Sequence, residues 1–241
     1  MRRLVLLALT VCFVTFSFAQ DSTIQRLTRA ANTKVGGNDH FMIQFGSTKW
    51  QGKPDSINTG GFSRTFNMYF LFAFPFKTSP KMSAAIGVGL ATDHIFFKAT
   101  RVGIADIGPT LVFDNVSDTT HFDKYKLATS FLEAPIELRF TAKPEDSKHS
   151  FKIAVGAKIG TMLSAWVKGK SEVNKAGQAL RDFTMKEKSK KYFNTNRLSL
   201  TGRVGYGAFS AFVSYAVTPL LQEGVGPTLR PMTIGLTIAG L

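Results

Sequence analysis

Between residues 232 and 238 the chain alternates without a break. Met232, Ile234, Leu236 and Ile238 are large and apolar, while Thr233, Gly235 and Thr237 are small or hydroxylated. Successive side chains of a strand point to opposite faces, so this segment has one oily face and one polar face. Seven further stretches carry the same period, at 40–46, 64–76, 81–97, 125–141, 150–168, 192–206 and 208–217. In 64–76 the even positions are Phe66, Met68, Phe70, Phe72, Phe74 and Phe76. In 81–97, Ala84, Ile86, Val88 and Leu90 alternate with Ser83, Ala85, Gly87, Gly89 and Ala91. In 125–141, Leu132, Ile136, Leu138 and Phe140 share the oily face, on which Ala128 and Ala134 are also expected. The segments between these stretches run long, short, long, short, long, short, intermediate. That rhythm predicts eight antiparallel strands joined in sequence, with short turns at one end and long loops at the other.

Alternation alone does not say which face looks inward. A soluble, lipocalin-like barrel of eight strands would put the large apolar residues inside and leave Glu133, Glu137, Arg139 and Arg203 in water. A barrel in lipid reverses the faces, with bulk outside and small or polar residues within. The glycine series of 81–97 fits a crowded interior. The loop rhythm fits an outer-membrane barrel with both ends on the periplasmic side. The expected fold is therefore all-β, an eight-stranded antiparallel up-and-down transmembrane β-barrel over residues 40–241. No segment outside the N-terminus is apolar for long enough to cross as a helix.

The N-terminus supports export. Arg2 and Arg3 precede an apolar run at 4–18, and Ser17-Phe18-Ala19 offers small residues where a signal peptidase cuts. Residues 1–19 are expected to be a signal peptide cleaved after Ala19. Residues 20–39 then form a polar, basic periplasmic lead-in, with one helical turn expected around 23–30. The single cysteine, Cys12, lies within the signal, so the exported chain has neither disulfides nor thiolate chemistry. The sequence before Cys12 does not suit lipidation.

Charge narrows the partners. Two of the chain's 30 Lys and Arg leave with the signal, so 28 face 16 Asp and Glu in the exported chain. Export makes nucleic acid an unsuitable counterpart and points to anionic lipid head groups. The loop at 168–191 carries eight Lys and Arg against Glu172, Asp182 and Glu187. One reading is a solvated, mobile loop. The other has Lys186, Lys188, Lys190 and Lys191 clamping phosphates of outer-membrane lipid, lipopolysaccharide phosphates among them.

Residues 37–44, 61–64 and 72–77, the element Leu132-Glu133-Ala134-Pro135-Ile136-Glu137-Leu138-Arg139 and the closing 231–241 resemble the outer-membrane β-barrel proteins of Bacteroidota often called PorT-like. The resemblance spans nearly the whole exported chain. It implies a fold and an outer-membrane location, and carries over no catalytic residues.

The chemistry-bearing residues agree with a non-enzyme. There is no Gly-x-Ser-x-Gly elbow, no phosphate-binding Gly-Lys-Ser/Thr loop and no Cys/His metal spacing. His40, His94, His121 and His149 are scattered singly. Asp93 beside His94 would be the start of a rim lipid hydrolase, but no serine is placed to complete it. Asp114, Asn115, Asp118 and Asp123 lack the spacing of a calcium loop. No cofactor or metal is expected. The inward charges are the clearest constellation: Glu133, Glu137 and Arg139 from one strand, Lys152 and Lys158 from the next, Arg197 and Arg203 from the one after. Pairing across the turn at 143–149 brings Glu133 near Lys158. In a narrow lumen such charges are costly unless paired, so they are expected to form a salt-bridged plug. Three readings of function follow: a structural or interaction platform working through its outer loops with an unidentified protein partner, a narrow, porin-like transport barrel, or a rim lipid-modifying enzyme.

Overall fold

The computed structural model describes residues 41–60 and 62–240. The expected signal peptide at 1–19, the lead-in at 20–39 and its helical turn lie outside the described residues. The strands in chain order are β1 (Phe41–Gln51), β2 (Arg64–Phe76), β3 (Ser79–Phe97), β4 (Thr100–Val102), β5 (Phe113–Asn115), β6 (His121–Thr141), β7 (Phe151–Val173), β8 (Ala179–Lys188), β9 (Asn196–Tyr206), β10 (Phe209–Ala216) and β11 (Arg230–Ala239). Eight of them, β1, β2, β3, β6, β7, β9, β10 and β11, pair in that order, each antiparallel to the next. β11 returns to β1 over ten residue pairs, from Met42↔Ala239 to Gln51↔Arg230, and the ring is closed. The fold is the expected eight-stranded antiparallel up-and-down barrel.

Connections at one end are tight: 77–78, 142–150 with a 3₁₀ turn at Pro144–His149, and 207–208. Gly207 holds a φ of 59°, and its amide donates to Ser150 O at 2.9 Å, so this hairpin bend packs on its neighbour. Loops at the other end are long. The one after β3 contains the small β4–β5 hairpin, and the one after β7 contains β8.

The faces fall as the lipid-facing reading requires. Phe70, Phe72, Val88, Ile136, Val155, Ile159, Leu200 and Leu236 are exposed on the outer wall, while Gln44, Thr65, Asn67, Tyr69, Glu133, Glu137 and Lys158 are buried within. The order is the reverse of a soluble barrel. An irregularity between Ser130 and Phe131 keeps the phase right along the longest strand. Ser130 faces Ser164 but Phe131 faces Met162, so Leu163 is the extra residue. Inward positions on β7 consequently switch from even (Lys158, Gly160, Met162) to odd (Ala165, Val167).

Four expectations change in detail. The first strand is longer than 40–46, continuing to Gln51. The loop at 169–191 is not wholly irregular, because β7 runs on to Val173 and hairpins into β8. The sixth predicted strand, 192–206, begins only at Asn196, since Tyr192 and Phe193 belong to the loop core. Ala128 holds an outward register position yet is fully covered, because its cross-strand neighbours His94 and Trp166 close over it, their rings 6.0 Å apart.

Candidate functional site: a filled lumen

Two layers fill the barrel. Midway along it lies a polar lattice. β9 brings Arg197 between two carboxylates from neighbouring strands. Its Nη1 donates to Asp93 Oδ2 at 2.6 Å, and its Nη2 and Nε donate to Glu133 Oε1 at 2.6 and 3.0 Å. The guanidinium also lies over the Phe131 ring, 3.7 Å from its centroid. Tyr69 donates its hydroxyl to the other Glu133 oxygen at 2.5 Å. Lys158 reaches across the lumen, donating to Gln44 Oε1 at 2.9 Å and to the Tyr69 hydroxyl at 3.2 Å. Hydroxyls extend the lattice: Thr65 donates to Asp93, and Thr48 joins Thr65 and Thr233. Nearer the turn end, Glu137 accepts from Arg139 Nε at 2.9 Å and from Arg203 Nη2 at 3.0 Å.

Glycines make this density possible. A Cβ on Gly160 would stand 2.8 Å from Glu133 Cγ, and one on Gly89 would stand 2.5 Å from the Tyr69 ring. The directly paired side chains, Glu133 opposite Gly160 and Tyr69 opposite Gly89, lean into the space that these positions leave. A cavity of about 20 Å³, room for about one water, lies among Thr65, Asp93, Glu133, Lys158 and Arg197.

The loop end is closed by apolar packing. Inward residues of the strands, among them Ile95, Phe97, Tyr125, Leu127 and Val167, meet Ile57, Val102, Ile104, Leu111, Phe193, Leu221 and Leu229 from the loops in one buried core. Tyr192 stitches two loops together, donating its hydroxyl to Asp106 O at 2.6 Å. The Leu111 amide donates to Val225 O at 2.7 Å.

A family model described as an outer membrane protein beta-barrel domain matches residues 18–222. The chain belongs to this family. Among solved structures it is similar to the crystal structure of Ail, the attachment invasion locus protein of Yersinia pestis, at 13% identity, covering 83% of this chain and 94% of that one with a TM-score of 0.37. No curated protein matches it.

In this outer-membrane barrel the seven predicted lumen charges fall into distinct places. Glu133 and Arg197 form one ion pair, and Glu137, Arg139 and Arg203 form a separate triad. Lys152 is half-buried near the turn end, opposite Thr141 and Gly205. Lys158 lies near Glu133 as expected, but the two form no direct ion pair: the register sets Glu133 opposite Gly160 and Lys158 opposite Pro135, and the Tyr69 hydroxyl bonds to both, while the lysine also bonds to Gln44. Asp93, Tyr69 and Gln44 join the lattice without having been predicted. Asp93 was legible, because it continues the odd-numbered inward series from Ser83 to Ala91. That alternation also separates Asp93 from His94, which faces the outer wall, so the two form no hydrolytic dyad.

The oxygen-rich loop residues do not converge. Asp114 pairs with Arg101 at 3.2 Å, Asp118 pairs with Lys175 at 2.6 Å, and Asn115 accepts from the Ser117 amide. The four loop lysines also divide. Lys186 and Lys188 lie on β8 and are exposed. Lys190 and Lys191 turn to backbone carbonyls, of Met162 at 3.4 Å and of Gly108 at 2.8 Å.

Proposed function

We propose that this outer-membrane barrel is a sealed, non-catalytic platform. Its turn end and both chain ends would face the periplasm, and its loop end the exterior, where it would engage a partner. The observation that carries this reading is the doubly filled lumen, an ion-pair lattice beneath an apolar loop core. Kinship within the family to the PorT-like barrels of Bacteroidota rests on the motifs quoted above, chiefly the element from Leu132 to Arg139.

Planar-bilayer recording tests the sealed lumen. Pure wild-type protein should give no steady unitary currents, and reproducible currents would put narrow transport first. Turnover of added phospholipid by the same preparation would favour a rim hydrolase instead. Protein extracted from outer membranes should begin at Gln20 on N-terminal sequencing. Retention of Met1 would show that the N-terminal segment is an anchor. Proteins that co-purify with the barrel from native outer membrane, and that are lost when the loop at 98–120 is shortened, would identify the partner.

A further inference from the structure

Where the apolar outer wall ends, at the loop end, one sector of it turns cationic. Three rows run in register across neighbouring strands. The first is Phe66, Thr92, Ser130 and Ser164, hydroxyls beside the last apolar ring. The second is Arg64, His94, Ala128, Trp166 and Lys188. The third is Phe96, Lys126, Lys168 and Lys186. Strand alternation points all of them away from the lumen.

The second and third rows interleave as a ladder of cations and rings. Arg64 lies 5.5 Å from the Phe96 centroid, and Lys126 lies 5.8 Å from Phe96 and 5.2 Å from Trp166. Lys186 lies 4.9 Å from Trp166. Lys126 also approaches His94 Nδ1 at 3.3 Å. Among the described residues no carboxylate forms an ion pair with Arg64, Lys126, Lys168, Lys186 or Lys188. Like charges set directly opposite one another destabilise a sheet. Lys126, Lys168 and Lys186 are so placed on three successive strands, and among the described residues none of the three is in an ion pair.

We propose that this sector binds the phosphates of a bis-phosphorylated glycolipid of the outer leaflet, of the lipid A class. The proposal rests on the reading that the loop end faces outward. Charge and position select the occupant. The cations stand at the edge of the apolar wall, where lipid head groups lie, and Trp166 is an aromatic ring suited to that boundary. From β2 to β8 the ladder crosses four strand spacings, about 19 Å. One phosphate reaches only one or two of these cations, whereas a sugar head with phosphates at both ends spans the row and meets the hydroxyls of Thr92, Ser130 and Ser164 below it. Lys190 and Lys191, bound to the loop core, take no part.

The chain has two tryptophans, and Trp50 is buried in the loop core, so a Trp50→Phe background leaves Trp166 as the reporter. Full-length protein in phosphatidylcholine vesicles should change its tryptophan emission when the vesicles include bis-phosphorylated lipid A. Salt should reverse the change. Vesicles with the dephosphorylated lipid should give none, and a response of equal size to them would overturn the proposal. Inorganic phosphate producing the same change would overturn the commitment to a lipid. The Arg64→Gln/Lys126→Gln/Lys168→Gln/Lys186→Gln variant should retain the phosphorylated lipid on the order of a hundredfold less well at low salt. If that variant does not insert, Lys186→Gln/Lys188→Gln, confined to β8 outside the barrel ring, should lose about tenfold. Lys190→Gln/Lys191→Gln should lose nothing, and an equal loss there would replace this site with diffuse loop charge. Accessibility of the loop at 174–178 to protease from inside the vesicle alone would reverse the orientation reading, whereas an inserted, correctly oriented barrel without phosphate-dependent emission would overturn only this site.

Discussion

Arg197→Met should destabilise the barrel by about 3–5 kcal/mol, the largest loss expected from any single substitution. Arg197 is the shared cation of Asp93 and Glu133, at 2.6 Å from each. Removing it takes the ion-pair partner from both carboxylates, leaving Asp93 held by Thr65 and Glu133 by Tyr69 with Lys158 behind it, in an interior where unpaired charge is costly. Lys158→Met is the informative contrast. Lys158 is more deeply buried than Arg197, but its amine bonds to the neutral Gln44 and Tyr69, and Glu133 keeps Arg197. Its loss should be smaller, about 1–3 kcal/mol. Glu133→Gln added to Arg197→Met should restore part of the deficit, with Asp93 still held by Thr65. Urea unfolding in vesicles, followed by loss of strand signal, measures all three. Equal losses for Arg197→Met and Lys158→Met would contradict this hierarchy of partners.

Phe70→Arg and Val155→Arg should each cost about 2–4 kcal/mol in a bilayer. Both side chains stand on the outer wall well away from either rim, with 44% and 55% of their surfaces exposed, and in this family that surface is lipid. Depth is the control. Tyr206 faces outward too but adjoins the turn at Gly207, paired with Phe151 and Phe209. Tyr206→Arg should cost only about 0–1 kcal/mol, because the guanidinium reaches head groups. A flat profile across the three positions would mean that the apolar wall is not the lipid-facing one.

Strand β2 was readable to the residue, since from Phe66 to Phe76 every outward position is bulky and apolar. Lipid imposes that pattern, and where lipid ends the pattern ends. The continuation of β1 through Ser47, Thr48 and Lys49 was therefore hidden: Thr48 faces the lumen among other hydroxyls, and Trp50 faces the loop core. β8 was hidden for the same reason. It extends the sheet beyond the apolar wall, and nearly all of its residues are exposed. Within the lumen, the identity of the inward charges followed from alternation, but their pairing did not. A hairpin register proposes only neighbours such as Glu133 and Lys158. The contact that Lys158 makes, with Gln44 of β1, joins residues 114 apart in sequence and exists only because the sheet curls shut. The division of the four loop lysines was equally out of reach, because Lys190 and Lys191 are captured by carbonyls of Met162 and Gly108, groups that any residue type carries.

The pairing of β11 with β1 also fixes when this molecule can be finished. Gln44 and Thr237, bonded at 3.1 Å across that seam, are 193 residues apart. Contacts of such separation form late and slowly. Until Arg230–Ala239 has been delivered, β1 and β10 each present a bare row of amides and carbonyls that hydrocarbon cannot satisfy. The nascent sheet must therefore be sheltered from lipid until its last ten residues arrive, and a chain shortened by those residues should be cleared during assembly rather than accumulate as a smaller barrel.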